Sequence, residues 1–206
     1  MLQGLCDDNE GVREVSLRAG QVMVHVLGKS HTSELLPGLS SSLFHSDWRI
    51  RLCSVSLLGD LLYLVGDTRA VGLTEGEGDD SGFSISSRAA VVIRAHIGDE
   101  HMNMVLSALY ISRSDTSIGV RQGALQVWKS IVTNSPRTLK EIMSSLLPSI
   151  VAKLSGENSE IRIVAGKALG DIVVKMAEVV LPIVIPLLQM GLEEGDQVKR
   201  EGICLG

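Results

Sequence analysis

At five places along the chain a β-branched residue stands directly before a basic one: Val12-Arg13, Ile50-Arg51, Val120-Arg121, Ile161-Arg162 and Val198-Lys199. The basic residues are spaced 38, 70, 41 and 37 positions apart. Aligning the segments on them brings further columns into register. Three positions later every copy has a small residue, namely Ser16, Ser54, Ala124, Ala165 and Gly202. Ten and eleven positions later come Met23-Val24, Leu61-Leu62, Ile131-Val132 and Ile172-Val173. These offsets share one face at helical periodicity. Each segment therefore reads as a helix with one buried side, on which a small residue lets a neighbour approach closely.

A supersecondary unit recurring every roughly 40 residues is the mark of a HEAT- or armadillo-like α-solenoid. The expected fold is all-α, a right-handed superhelix of antiparallel helix pairs. Second helices are predicted at 9–27, 47–65, 116–134 and 158–176, with a further one starting near Asp196. First helices are predicted at 31–43, 99–112, 138–155 and 178–191. Three of these carry a Leu-Pro step at similar phase, Leu36-Pro37, Leu147-Pro148 and Leu181-Pro182, and a proline inside a helix bends it. The single long spacing contains a Gly-rich acidic stretch. The chain thus divides into HEAT repeats over 1–65, the first one partial, an insertion loop over 66–87, and HEAT repeats over 88–206, the last one truncated. A short extra helix at 87–96 is assigned to the insertion. Neither end supplies a polar capping repeat, so the chain reads as a piece of a longer solenoid with a tendency to self-associate.

Each basic residue sits near the start of a second helix, where the helix dipole disfavours positive charge. A carboxylate from the same or the adjoining repeat is the natural compensation, and Asp47, Asp115, Glu160 and Asp196 lie just upstream. A ladder built from Arg13, Arg51, Arg121 and Arg162 with Asp47 and Asp115 would fix the rotation between repeats. The competing reading is that these basic residues merely reach solvent.

Composition narrows the function. Of the 206 residues, 45% are hydrophobic but only 3% aromatic, which suits closely packed helices better than a β-sandwich. A net charge of -5 and the lack of any run of five or six basic residues argue against nucleic-acid binding by the chain as a whole. Cys6, Cys53 and Cys204 are odd in number and far apart, and read as small core residues of a reducing compartment. Met1–Asp8 has no signal-peptide pattern, and Val179–Leu188 is too short and proline-interrupted to span a bilayer. A cytoplasmic protein without membrane contact is expected.

The tempting chemical motifs fail on their own terms. Gly76, Gly78 and Gly82 are spaced like a phosphate loop, but Glu75, Glu77, Asp79 and Asp80 would repel phosphate and no strand precedes them. His96 and His101 lack a third zinc ligand at a workable spacing. Asp7–Gly11 lacks the alternate ligands of a calcium loop. No nucleophile elbow is present. No catalytic, cofactor or metal residue is assigned, and no small-molecule substrate is expected. Trp48 and Trp128, with Arg49, Lys129 and Arg137, are candidate partner contacts, since Trp and Arg are enriched at binding hot spots. For both tryptophans, packing between repeats is the equal alternative.

Several stretches are familiar in order. They are Asp47-Trp48-Arg49-Ile50-Arg51 with Ser54 to Leu62, then Arg113-Ser114-Asp115, Val120-Arg121-Gln122, Val127-Trp128-Lys129 and Asn134 to Ile142. Val164 to Asp171 and Leu181 to Pro186 complete the series. Across nearly the whole chain this resembles the family of very large HEAT-repeat translational activators of the general-control, amino-acid-starvation kinase. The resemblance implies a scaffold that contacts translating or stalled ribosomes. It also implies engagement of the kinase that phosphorylates initiation factor two alpha, and an ABC-type ATPase partner. It carries over no binding residue. Gly119, Gly123 and Gly166 depart from the usual pattern, each at about 0.5–1 kcal/mol in a helix interior. The alternative from periodicity alone is another HEAT adaptor, of the nuclear transport receptor or phosphatase scaffold type.

Overall fold

The computed structural model describes residues 2–66, 82–193 and 196–204. The acidic Gly-rich stretch with Glu75, Glu77, Asp79 and Asp80, and with it most of the expected 66–87 insertion, lies outside the described residues. Among the described residues, a 3-10 turn, Leu2–Cys6, is followed by eight α-helices and no strand. These are α1 Glu10–Leu27, α2 Thr32–Ser42, α3 Trp48–Val65, α4 Gly82–Ser112, α5 Ile118–Ile131, α6 Ser135–Leu154, α7 Ser159–Glu193 and α8 Gln197–Ile203.

Local chemistry sets the helix starts. Asn9 accepts the N–H of Gly11 at 2.9 Å, Asp47 that of Arg49 at 2.7 Å and Asp196 that of Val198 at 2.9 Å. Asn158 accepts from Glu160 and Ile161 at 2.9 and 3.2 Å. Each such side chain satisfies N–H groups that the first turn leaves without a partner. Helix α6 opens on an Asn134 cap with Pro136 in its first turn, where the missing N–H costs nothing.

Two helices are longer than the periodicity predicts, because adjacent units join without a loop. Helix α4 is broken at Gly98, with φ 81° and ψ 163°, and α7 at Met176. The segment predicted as a separate helix at 87–96 belongs to the first limb of α4, and the one at 99–112 is its second limb. The two limbs of α7 are likewise the predicted 158–176 and 178–191 helices. Pro37, Pro148, Pro182 and Pro186 all lie inside continuous helix.

The helices form two layers of an armadillo/HEAT-like solenoid. First helices α2, the second limb of α4, and α6 adjoin in order, while α1, α3 and α5 adjoin as second helices. Within the layers the aligned columns form the core. Ile50, Val120 and Ile161 are buried, as are Ser54, Ala124 and Ala165, and Leu61, Ile131 and Ile172. The same columns open at the first and last repeats, where Val12, Met23 and Val198 are exposed.

Gly123 in α5 has a packing use that offsets its helix cost. A Cβ there would lie 3.0 Å from Val55, whereas one on Gly119, 3.5 Å from Leu52, would make only ordinary contact. Across the same seam, a Cβ on Gly59 of α3 would lie 2.9 Å from Val127. Side chains of each helix thus enter glycine notches on the other.

Gly98 and Gly170 separate the two roles of glycine, since a Cβ at either would meet nothing within 4 Å. At Gly98 the positive φ disfavours any L side chain. Gly98→Ala should therefore lower stability by about 1–2 kcal/mol. Gly170→Ala, in regular helix, should raise it by about 0.5–1 kcal/mol. Urea unfolding of the two variants measures the opposite signs.

Candidate functional site

The recurring geometry of the four column arginines is a clamp on the turn before α1, α3, α5 and α7. Arg13 Nη1 donates to the carbonyls of Asp7 and Asp8 at 2.6 and 2.9 Å. Arg51 Nη1 does the same to His45 and Ser46 at 2.9 and 3.1 Å. Arg121 reaches Asp115 and Thr116 at 2.6 and 2.8 Å, and Arg162 reaches Gly156 and Glu157 at 2.9 and 3.0 Å. In every case the acceptors are six and five residues upstream. The turn carbonyls, rather than carboxylates, are what all four arginines share. Among the described residues Arg13, Arg121 and Arg162 show no ion pair, and Asp47 caps its own helix.

Arg51 adds a buried inter-repeat tie. Its side chain is 0% exposed, and Nε meets Asp115 Oδ2 at 2.8 Å while Nη2 meets Asp115 Oδ1 at 3.1 Å. Nη2 also meets Glu160 Oε1 at 2.6 Å. Thr116 Oγ1 donates to that same Glu160 oxygen. Asp115, itself buried, also accepts the N–H of Ser117, the residue before α5, at 2.8 Å, as Asp7 and the His45 ring accept those of Asn9 and Asp47 before α1 and α3. One guanidinium thus joins the repeats of α3, α5 and α7. Burial lowers the Arg51 pKa, but the bonds to Asp115 and Glu160 outweigh it and hold the charge firmly. Hydrogen bonds from Arg51 and Thr116 keep Glu160 below the ordinary carboxylate range.

A second tie is aromatic. Tyr110 and Trp128 meet edge to face, with ring centroids 5.7 Å apart, and Arg113 lies over both at 4.9 and 5.2 Å. The Tyr110 hydroxyl donates to Asp171 Oδ2 at 2.8 Å, and Lys175 meets the same oxygen at 2.6 Å. Burial first, then the bond to Asp171, pushes the phenol well above its usual range. Trp128, a candidate contact from sequence, is only 2% exposed and gives its indole N–H to Ser135. Its role here is packing. Nothing in the local pattern around Arg113, Tyr110 or Asp171 marks them as partners. Their separation along the chain hides the cluster.

Trp48 is placed differently. It is 43% exposed at the first turn of α3, with the Arg49 guanidinium stacked 4.9 Å from its ring. Lys129 is exposed near the end of α5, and Arg137 is exposed in the first turn of α6, paired with Glu141 at 2.9 Å. Arg137 also lines an open groove of about 720 Å³ beside the Gly98 break, with Arg94, Met102 and Ile131. The structure therefore joins Trp48 with Arg49 and leaves Lys129 and Arg137 around the α5–α6 turn. His96 contacts Thr32 at 3.1 Å and His101 the carbonyl of Ile97 at 3.1 Å, so the two histidines serve separate contacts. Among the described residues no group of three or more His, Cys, Asp or Glu side chains is placed to hold a metal ion. No helix there is long and apolar enough to cross a membrane.

No family model matches the chain. The stalled ribosome sensor GCN1 of Homo sapiens is 40% identical over 206 residues, covering all of this chain and 8% of that protein. The eIF-2-alpha kinase activator GCN1 of Saccharomyces cerevisiae is 34% identical over 207 residues, again covering all of this chain and 8% of that protein. The chain thus spans 8% of the length of these relatives. Among solved structures, a designed armadillo repeat protein aligns over 99% of this chain and 95% of its own, at 14% identity and a TM-score of 0.29, too loose a match to carry an argument.

Removing the Arg51 side chain leaves Asp115 buried and unpaired. Arg51→Ala should cost about 3–5 kcal/mol. Arg13→Ala, which frees only two turn carbonyls at a half-buried site, should cost about 1–2 kcal/mol. The depressed Glu160 pKa adds a pH signature. Its stabilisation is complete above the unfolded-state value of about 4.3 and is lost as pH falls through the lower folded-state value. Denaturant unfolding of wild type and Glu160→Gln between neutral and acid pH should show the two stabilities converging at the acid end.

Proposed function

Because this chain is related along its whole length to one segment of the GCN1 proteins, we propose that it is a non-catalytic scaffold segment acting at the ribosome. In this reading it helps a protein kinase of the starvation response to phosphorylate initiation factor two alpha. The end-to-end similarity is the observation that carries the proposal. The architecture supports it physically: a solenoid presents extended surface without needing an enclosed reaction site. Its cytoplasmic location and an ABC-type ATPase partner belong to the same proposal.

For the contact itself we assign Trp48 and Arg49. An exposed tryptophan held by a stacked guanidinium offers a large apolar surface whose orientation is already fixed before binding. Lys129 and Arg137 are assigned a lesser role at the α5–α6 turn. Arg51 acts indirectly, by holding the spacing of the surface through its tie to Asp115 and Glu160.

Sucrose-gradient sedimentation of cell extracts tests the main reading, with the protein expected in ribosomal fractions. Its absence from every such fraction, starvation included, would remove the proposal. A pull-down dominated by a transport GTPase or by phosphatase subunits would replace it with the corresponding adaptor. For the site, Trp48→Ala should weaken ribosome co-sedimentation by roughly tenfold or more, with helix content unchanged. Lys129→Ala should have a smaller effect.

A further inference from the structure

The arginines withdrawn wholly or partly from water spend their donors on the protein, with one exception among the described residues. Arg13, Arg51, Arg121 and Arg162 donate to turn carbonyls, and Arg94 donates to Asp99 at 2.6 Å. Arg113 is half-buried, yet its side chain makes no hydrogen bond and no ion pair with any described residue. Donors removed from water without an acceptor are costly, so this arrangement asks for an explanation.

The Tyr110–Trp128 pair holds the cation, which lies 4.9 and 5.2 Å from the two rings. Ring faces attract a cation but offer no lone-pair acceptor to its in-plane N–H groups. Both rings are 2% exposed, and their polar ends are tied to Asp171 and Ser135, so the platform is fixed. The cluster lies in the interior of the repeat array. Helix α1 packs along α3 and α3 along α5, but α5 and α7 are not packed in this way. Tyr110 of α4 reaches across to Asp171 of α7 instead. Lys175 stands beside it, bonded to Asp171 at 2.6 Å and 5.9 Å from the Tyr110 ring. Two cations and one carboxylate leave the cluster with one net positive charge, in a chain whose formal net charge is -5.

We propose that Arg113 is a binding residue for a carboxylate on an acidic segment of a partner protein. The planar fork of a guanidinium meets both oxygens of a carboxylate, and Lys175 adds attraction from the side. Because the guanidinium is set on its rings before the partner arrives, little ordering opposes the contact. A nucleic-acid strand is the poorer fit, since following successive phosphates takes a row of cations rather than one net charge. This site is separate from Trp48 and Arg49 and does not depend on the ribosomal reading.

Fluorescence anisotropy of a labelled hexaglutamate peptide against the intact protein tests this, with labelled hexauridylate as a second probe. Wild type should bind the peptide, and more tightly than the RNA. Arg113→Lys keeps a charge over the rings but loses the fork, and should weaken peptide binding about fivefold or more. Arg113→Gln should abolish it. Lys140→Gln removes one charge from an exposed position on α6 and should bind as wild type does. Thermal unfolding followed by circular dichroism checks that the variants are folded, and Arg113→Lys alone carries the test if Arg113→Gln is not. A wild type that leaves the peptide free even at millimolar protein overturns the proposal. So does an Arg113→Lys variant that binds like wild type, an equal loss in Lys140→Gln, or tighter binding of the RNA than of the peptide.

Discussion

A guanidinium withdrawn from water destabilises a fold unless all its donors are met, and the way Arg51 meets that demand organises the middle of this molecule. Its Nε and Nη2 reach Asp115, Nη2 also reaches Glu160, and Nη1 takes the carbonyls of His45 and Ser46, all within 3.1 Å. Five acceptors serve five N–H donors. Two of those acceptors are carbonyls of its own turn and three are carboxylate oxygens of the next two repeats. The local half of this arrangement recurs at Arg13, Arg121 and Arg162, which remain half-buried. The long-range half belongs to Arg51, because the place six residues before the column arginine of the next repeat holds the carboxylate Asp115 for it, but His45 for Arg13 and Gly156 for Arg121. That carboxylate both accepts the N–H of Ser117, the residue before α5, and faces the neighbouring repeat.

The aromatic cluster answers a different need. A chain with 3% aromatic residues places Tyr110 and Trp128 together and covers them with Arg113. The polar ends of both rings are satisfied by Asp171 and Ser135, so two large side chains are buried without stranding a donor. The two ties rely on different physics. One depends on charge in a low dielectric, the other on shape and ring polarity.

Much of this was legible in the sequence. The columns after Arg51, Arg121 and Arg162 marked the buried seam, and the repeat alignment placed the starts of the second helices to within a residue or two. Those signals are local, set by helical period and by the first turn's spare N–H groups. The partners of Arg51 were harder to read because Asp115 and Glu160 lie 64 and 109 positions away, and only the stacking of repeats brings them near. The two tryptophans show the same limit. Both stand in helices beside a basic residue, but Trp128 faces a neighbouring layer and Trp48 faces out. Gly123 of α5 looks costly by propensity alone, and its use appears only when Val55 of α3 is set against it. The joining of paired helices through Gly98 and Met176 was equally hidden, since a change of direction confined to one residue leaves no loop composition behind.

Slender solenoids behave mechanically as springs whose compliance is the sum of small slips between neighbours. Arg51 reaches past the adjacent repeat to the one beyond, so sliding any of three consecutive units would stretch a charged contact. That stretch of the solenoid is stiff, and bending under load is shifted to repeats that lack such a contact.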